Sequence, residues 1–217
     1  MIKVYVAHTD KLYNKEVFDS LYAQIPAERK ARIDRMKQQE DKLLSLGSFI
    51  LLKEAVKEKG IILERCELVY QDTGKPYLPE YPEISFNLSH SKERVMCAVG
   101  TCAVGCDVEK IKETDYKVAK RFFHEDEYAF LEACEEEKEK QRMFYRLWTA
   151  KESFVKMTGQ GMRRSFQSFI ADIPAQRVWD ETKTAFYLQE YDLGDGYCYT
   201  CCSTGKAFAT QMQQITF

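Results

Sequence analysis

Apolar residues alternate with polar ones in short runs near both ends of the chain, and recur every three to four residues in two longer stretches. KVYVA (Lys3 to Ala7) reads as an opening strand. From Ala27 to Lys59 the pattern is helical: Leu43, Leu44, Leu46, Phe49, Ile50, Leu52, Ala55 and Val56 form an apolar stripe that Gly60 ends. The opening of that stretch, PAERKARIDRMKQQEDK, is strongly charged. A strand candidate, CELVYQ, and a turn, DTGKPYLPEYP, lead into three predicted strands, ISFNLSH, RVMCAVG and AVGCDVEK. Helices are expected at Tyr116 to Phe123, Glu125 to Lys138 and Arg142 to Thr158, before the strands AFYLQEY and GYCYTCCST. Each half offers a long helix and several strands, some following one another directly, so the class is α+β with antiparallel hairpins. No repeat between the halves is visible in the residues themselves.

Composition narrows the possibilities. The 217 residues are 45% hydrophobic, 13% aromatic and 30% charged, as in ordinary globular proteins. A net charge of −2 and the lack of a broad basic stripe argue against nucleic acid or a membrane as partner, so any anion site is a local cluster. The N-terminus meets charges at once, without the apolar core of a signal peptide, and no run approaches the ~18 apolar residues of a membrane span. With no secretion signal, eight cysteines are expected as reduced thiols of a cytoplasmic protein. Cys198 and Cys201 have CxxC spacing, open to a metal or redox reading. Their flanks favour a strand, whose alternation points them to opposite faces as packing thiols.

The candidate chemistry lies in three carboxylates. Asp107 and Glu109, at i and i+2 of an extended segment, point to one side. Glu152 shares a helix face with Tyr145, Trp148, Val155 and Lys156, where an unpaired charge is costly. A plain i,i+4 surface pair between Glu152 and Lys156 is the alternative. Three converging acids with lysines nearby fit a magnesium–phosphate site, since magnesium takes oxygen ligands from a few carboxylates and substrate phosphates. Zinc calls for His or Cys at spacings not found beside these acids.

Three blocks, in order, carry a resemblance: TGKPYLPEYPEISFNLSHS, VGCDVEK and RLWTAKESFVKMTGQGM. A lone D-x-E is weak, but joined to W-T-x-K-E-S-F-x-K-x-x-G-x-G it is specific. The chain resembles the 4′-phosphopantetheinyl transferases of the surfactin-synthetase-activating type. The resemblance implies magnesium-dependent transfer of phosphopantetheine from coenzyme A to a serine of an apo carrier protein, releasing adenosine 3′,5′-bisphosphate. It implies two similar α+β halves, residues 1–103 and 104–217, with coenzyme A in the cleft between them, and a monomer is a reasonable state. By motif, Asp107, Glu109 and Glu152 would ligate magnesium. Lys75 would contact coenzyme A, Ser89 and His90 its phosphates, and Lys151 and Lys156 would share that phosphate environment. Glu152 is the candidate base, directly or through a metal-bound water, and Lys156 would stabilise charge on the diphosphate and the leaving group.

The family's basic N-terminal helix would grip the 3′-phosphate. Here Arg29, Lys30, Arg32 and Lys42 are available, displaced by one residue from the family's spacing, and Arg29, Arg32 and Lys42 are the candidates. Carrier proteins of this kind are generally acidic, and Lys117 to Phe123, with Lys117, Lys120 and Arg121 beside Val118, Phe122 and Phe123, is the candidate docking segment. The same phenylalanines could instead be core. Two rivals stand: a magnesium-dependent nuclease or phosphohydrolase using the same acids, and a carrier-binding module without activity. A Ser89–His90 hydrolase is disfavoured, because strand neighbours face opposite sides and no G-x-S-x-G elbow is present.

Overall fold

In a computed structural model of the chain, the alternating strands pair into two sheets and each apolar helical stretch lies across one of them. The structure describes the backbone of residues 1–217 and every side chain except that of Met162. The first half runs β1 (Lys3–His8), α1 (Lys15–Ala23), α2 (Ala27–Asp34), α3 (Gln39–Lys57), β2 (Val69–Tyr70), β3 (Pro76–Tyr77), β4 (Ser85–Ser91) and β5 (Arg94–Gly100). The second runs β6 (Val104–Lys110), α4 (Lys117–Phe122), α5 (Glu125–Glu132), α6 (Glu137–Thr158), β7 (Ile170–Asp172), β8 (Arg177–Trp179), β9 (Ala185–Tyr191), β10 (Tyr197–Ser203) and β11 (Gln213–Ile215).

The repeat invisible in the residues is present in the topology. The first sheet contains the order β1-β5-β4 and the second β6-β10-β9, antiparallel in both, so corresponding strands occupy corresponding places. Packing demands only alternation in strands and a stripe on the helix, so different residues meet the same requirement. Leu46, Phe49 and Leu52 of α3 pack on Phe86, Cys97 and Val99. Phe144, Leu147 and Phe154 of α6 pack with Leu188, Cys198 and Cys202. Between the sheets, Val4, Val6, Met96 and Ala98 share a core with Val104, Cys106, Val108, Tyr199 and Cys201. Cys198 and Cys201 thus lie in different cores, as strand alternation requires.

Several elements differ from expectation. The Ala27–Lys59 stretch breaks into α2 and α3, because its charged opening buries only Ile33. The helix α1, capped by the Asn14 side chain, buries no residue fully, and its short stripe of Phe18, Leu21 and Tyr22 packs only partly on the first core. β11 pairs in parallel with β1, and Ile2 bridges Phe208, so this segment joins the first sheet although the sequence division assigned it to the second half. QQI carries no alternation that could reveal this pairing. Among the described residues, no helix is long and apolar enough to cross a membrane.

Two glycines set the pose of α6. A Cβ on Gly105 of β6 would lie 2.1 Å from the Ser153 carbonyl oxygen and 2.3 Å from the Met157 nitrogen, so only glycine allows this approach of strand and helix. Gly159, at φ 71°, ends α6 in the left-handed conformation.

Candidate active site

The close approach at Gly105 brings the acids of β6 beside the last turns of α6. Asp107, buried at 3% exposure, accepts through Oδ1 from Ser89 Oγ at 2.7 Å and from Lys156 Nζ at 2.6 Å. Its Oδ2 is buried and has no partner in the protein. Glu109 accepts from Ser91 Oγ at 2.7 Å. Glu152, half-buried on α6, lies near enough for mutual repulsion. Burial first, then the Asp107 charge, raises the Glu152 pKa, with Lys156 opposing. Burial also raises Glu109, and its Ser91 bond only partly offsets this. Lys156 does not form the i,i+4 surface pair with Glu152. Burial disfavours its charge most, but the groups around it, Asp107 first and Glu152 among them, together outweigh burial and hold its pKa above normal.

The site is therefore an all-oxygen wall with one orphaned carboxylate oxygen and two acids pushed toward protonation. These features fit a hard divalent cation, which would take up the free oxygen and relieve the repulsion. The ring is not closed: among the described residues, no three His, Cys, Asp or Glu side chains are gathered tightly enough to hold a metal. Lys156 holds the other oxygen of Asp107.

A cleft of about 400 Å³ opens on the α3 side of β4, lined by Arg29, Arg32, Asp41, Ser45, Ser48 and His90 among others. Arg29 donates through Nη2 to the Ser45 carbonyl at 2.9 Å and through Nη1 to Tyr70 Oη at 3.3 Å, leaving a buried Nε free. Arg32 lies over the Tyr70 ring, 4.9 Å from its centroid. His90 enters from β4, where its surroundings and then the Lys156 charge lower the imidazole pKa, so it is neutral at pH 7. A shallower depression of about 190 Å³, lined by Gly74, Lys75, Leu88 and Lys156, shares Gly74, Pro76 and Leu88 with this cleft. A separate hollow between α6 and the β9–β10 end is lined by arginines already paired, Arg146 with Glu190 and Arg142 with Asp192.

Four residues are placed otherwise than the motifs imply. Lys151 does not face the cleft. It is fully buried, donating to both Glu127 oxygens at 2.7 Å and to the Phe169 carbonyl at 2.9 Å, because it lies about 100° around the helix from Glu152. Lys42 points toward Leu12, Lys15 and Lys37 rather than into the cleft, one residue and about 100° round α3 from Asp41, which lines it. Ser89 Oγ donates to Asp107 and accepts from Val108 N and Lys156, so its one donor and two acceptor sites are filled and none is left for phosphate. Lys75 Nζ donates to the Met157 and Val104 carbonyls, tying the GKP turn to the end of α6. In the docking segment Phe123 is core, whereas Val118 and Phe122 are exposed. Sequence reasoning missed Ser45, Ser48, Tyr70 and Ser91; of these only Ser91, next to the SH pair in SHS, had a signal, its two-residue step from Ser89 matching that from Asp107 to Glu109.

Comparison with known proteins gives two family models that divide the chain: "4′-phosphopantetheinyl transferase, N-terminal" matches residues 13–102 and "4′-phosphopantetheinyl transferase superfamily" residues 103–202. The 4′-phosphopantetheinyl transferase gsp of Aneurinibacillus migulanus is 32% identical over 94% of this chain and 86% of its own length. The 4′-phosphopantetheinyl transferase Sfp of Bacillus subtilis is 28% identical over all of this chain and 98% of its own. A solved holo-(acyl-carrier-protein) synthase of Bacillus anthracis, in complex with CoA (3′,5′-ADP), aligns at 18% identity and a TM-score of 0.36 over 45% of this chain and 91% of its own.

Proposed function

This chain belongs to the 4′-phosphopantetheinyl transferases, and on that premise we propose how its cleft moves phosphopantetheine from coenzyme A to a serine hydroxyl of an apo carrier protein. The observation that carries the reading is the orphaned Asp107 Oδ2 beside Glu109, Glu152 and Lys156. Arg29 and Arg32 hold the 3′-phosphate end of coenzyme A, and neutral His90 donates a hydrogen bond to its phosphates. Asp107, Glu109 and Glu152 would hold magnesium, which supplies charge neutralisation at the diphosphate. The carrier serine oxygen bonds to the β-phosphorus as the bond to the bridging oxygen breaks. Glu152 takes the serine proton, and adenosine 3′,5′-bisphosphate leaves against the Lys156 ammonium. Positioning and charge supply the acceleration, since the phosphoryl group needs little covalent help.

The carrier docks on α4. Val118 and Phe122 are exposed beside Lys117, Lys120 and Arg121, a mixed apolar and basic patch suited to an acidic partner. Phe122 stands edge-on to Trp148, which precedes Glu152 by one turn of α6, so the patch borders the catalytic helix. Phe122→Ala raises the KM for carrier about tenfold, as loss of an aromatic anchor does, and leaves the KM for coenzyme A unchanged in steady-state assays. A shift in both KM values would remove this patch from docking. We place the reaction in the cytosol, where eight free thiols stay reduced, with one chain supplying both walls of the cleft.

The direct test incubates the protein with coenzyme A, magnesium and an apo carrier and follows the carrier by mass spectrometry. A gain of one phosphopantetheine is expected. Coenzyme A or nucleotide hydrolysis without carrier modification would favour a phosphohydrolase instead.

A further inference from the structure

The halves meet beside the active site through a ladder that is not a backbone sheet. On β4, Ser85, Asn87, Ser89 and Ser91 occupy alternate positions and point to one face. Their side-chain oxygens accept, in order, from the backbone N–H groups of Val104, Cys106, Val108 and Lys110 on β6, at 3.2, 2.9, 3.3 and 3.2 Å. Donor and acceptor are nineteen residues apart at every rung, so the two strands run in register. β6 is the edge strand of the second sheet, and its outward N–H groups would be orphaned between the halves without these rungs.

Two rungs do more. Ser89 also donates to Asp107 and Ser91 to Glu109, each at 2.7 Å. A serine has one donor hydrogen, and here the rung's acceptance of a backbone N–H helps set where that hydrogen points. Ser85 is a rung for Val104 alone.

We propose that Ser91 is a positioning residue, which uses its rung on Lys110 N to fix the Glu109 carboxylate toward the divalent cation. This rests on the metal reading given above. Hydrogen-bond partners of metal-ligating carboxylates orient the ligand, and their loss typically weakens metal affinity about 10–100-fold.

Ser91→Ala and Ser85→Ala each delete one rung, but only the first releases an acid. Magnesium is titrated calorimetrically into the full chain with coenzyme A present and no carrier, alongside thermal melting of each variant. Both variants should lose similar stability. Ser91→Ala should bind magnesium about tenfold more weakly than the parent, Ser85→Ala should bind as the parent does, and Ser91→Thr, which keeps the hydroxyl, should recover most of the affinity. Equal magnesium affinity in Ser91→Ala and Ser85→Ala, with a parent that binds, overturns the role of Ser91 alone. A parent that binds no magnesium overturns the metal reading and this inference together.

Discussion

Glu152→Gln lowers the transfer rate by about 10²–10⁴-fold, the range expected when a positioned general base is lost, while the melting temperature stays close to that of the parent. The isosteric amide keeps the packing of a half-buried side chain on α6 but cannot accept the serine proton. The pH profile gives a second signature. Before a cation binds, burial and Asp107 raise Glu152 above the ordinary carboxylate value. It must be ionised both to ligate magnesium and to take the serine proton, so the parent rate climbs with pH as this group loses its proton. That acid limb disappears from the residual rate of Glu152→Gln. Transfer within a few-fold of the parent, with the limb intact, would mean another group takes the proton.

Lys151→Met destabilises the fold by about 3–5 kcal/mol, the usual cost of removing one partner of a buried ion pair. For a chain of this size that corresponds to a fall in melting temperature of roughly 10 °C. Burial pushes the Lys151 ammonium down to about 8, and the Glu127 charge only partly offsets it. The pair itself therefore adds little net stability, yet breaking it strands a carboxylate. Glu127 also accepts from His124 N at the start of α5 and from Ala171 N on β7, so the unpaired charge would sit where three elements meet. Adding Glu127→Gln to Lys151→Met neutralises the stranded acid and recovers part of the loss, measured by thermal and urea melts. A Lys151→Met protein that melts like the parent but has lost coenzyme A affinity would return Lys151 to the phosphate site.

What the residues disclose follows from what fixes each position. The acids on β6 are legible because strand alternation is rigid: two acids two residues apart must share a face, and Lys156 of α6 reaches that face at Asp107. Glu152 is legible from its apolar neighbours on the helix. Lys151 is not, since adjacency in sequence means about 100° of rotation on a helix, and the lysine found a buried acid that no spacing announces. Lys42 fails for the same reason, since it lies about 100° round α3 from Asp41, which does line the cleft. The rungs of β4 could be seen only as alternating small polar residues, a pattern equally suited to a solvated strand. Gly105 gives no warning either, because its requirement comes from a helix nearly fifty residues later.

The parallel pairing of β11 with β1 bears on how the protein is made. Tyr5 waits for Gln213, so the first sheet stays without its flanking strand until synthesis has passed β11 and that segment has left the ribosome. Through that interval one side of β1 is a bare row of amides and carbonyls, open to any extended segment that comes near. Late closure over so long a stretch makes for slow maturation, and nascent chains stalled before β11 are the species from which chaperone capture or misassembly would begin.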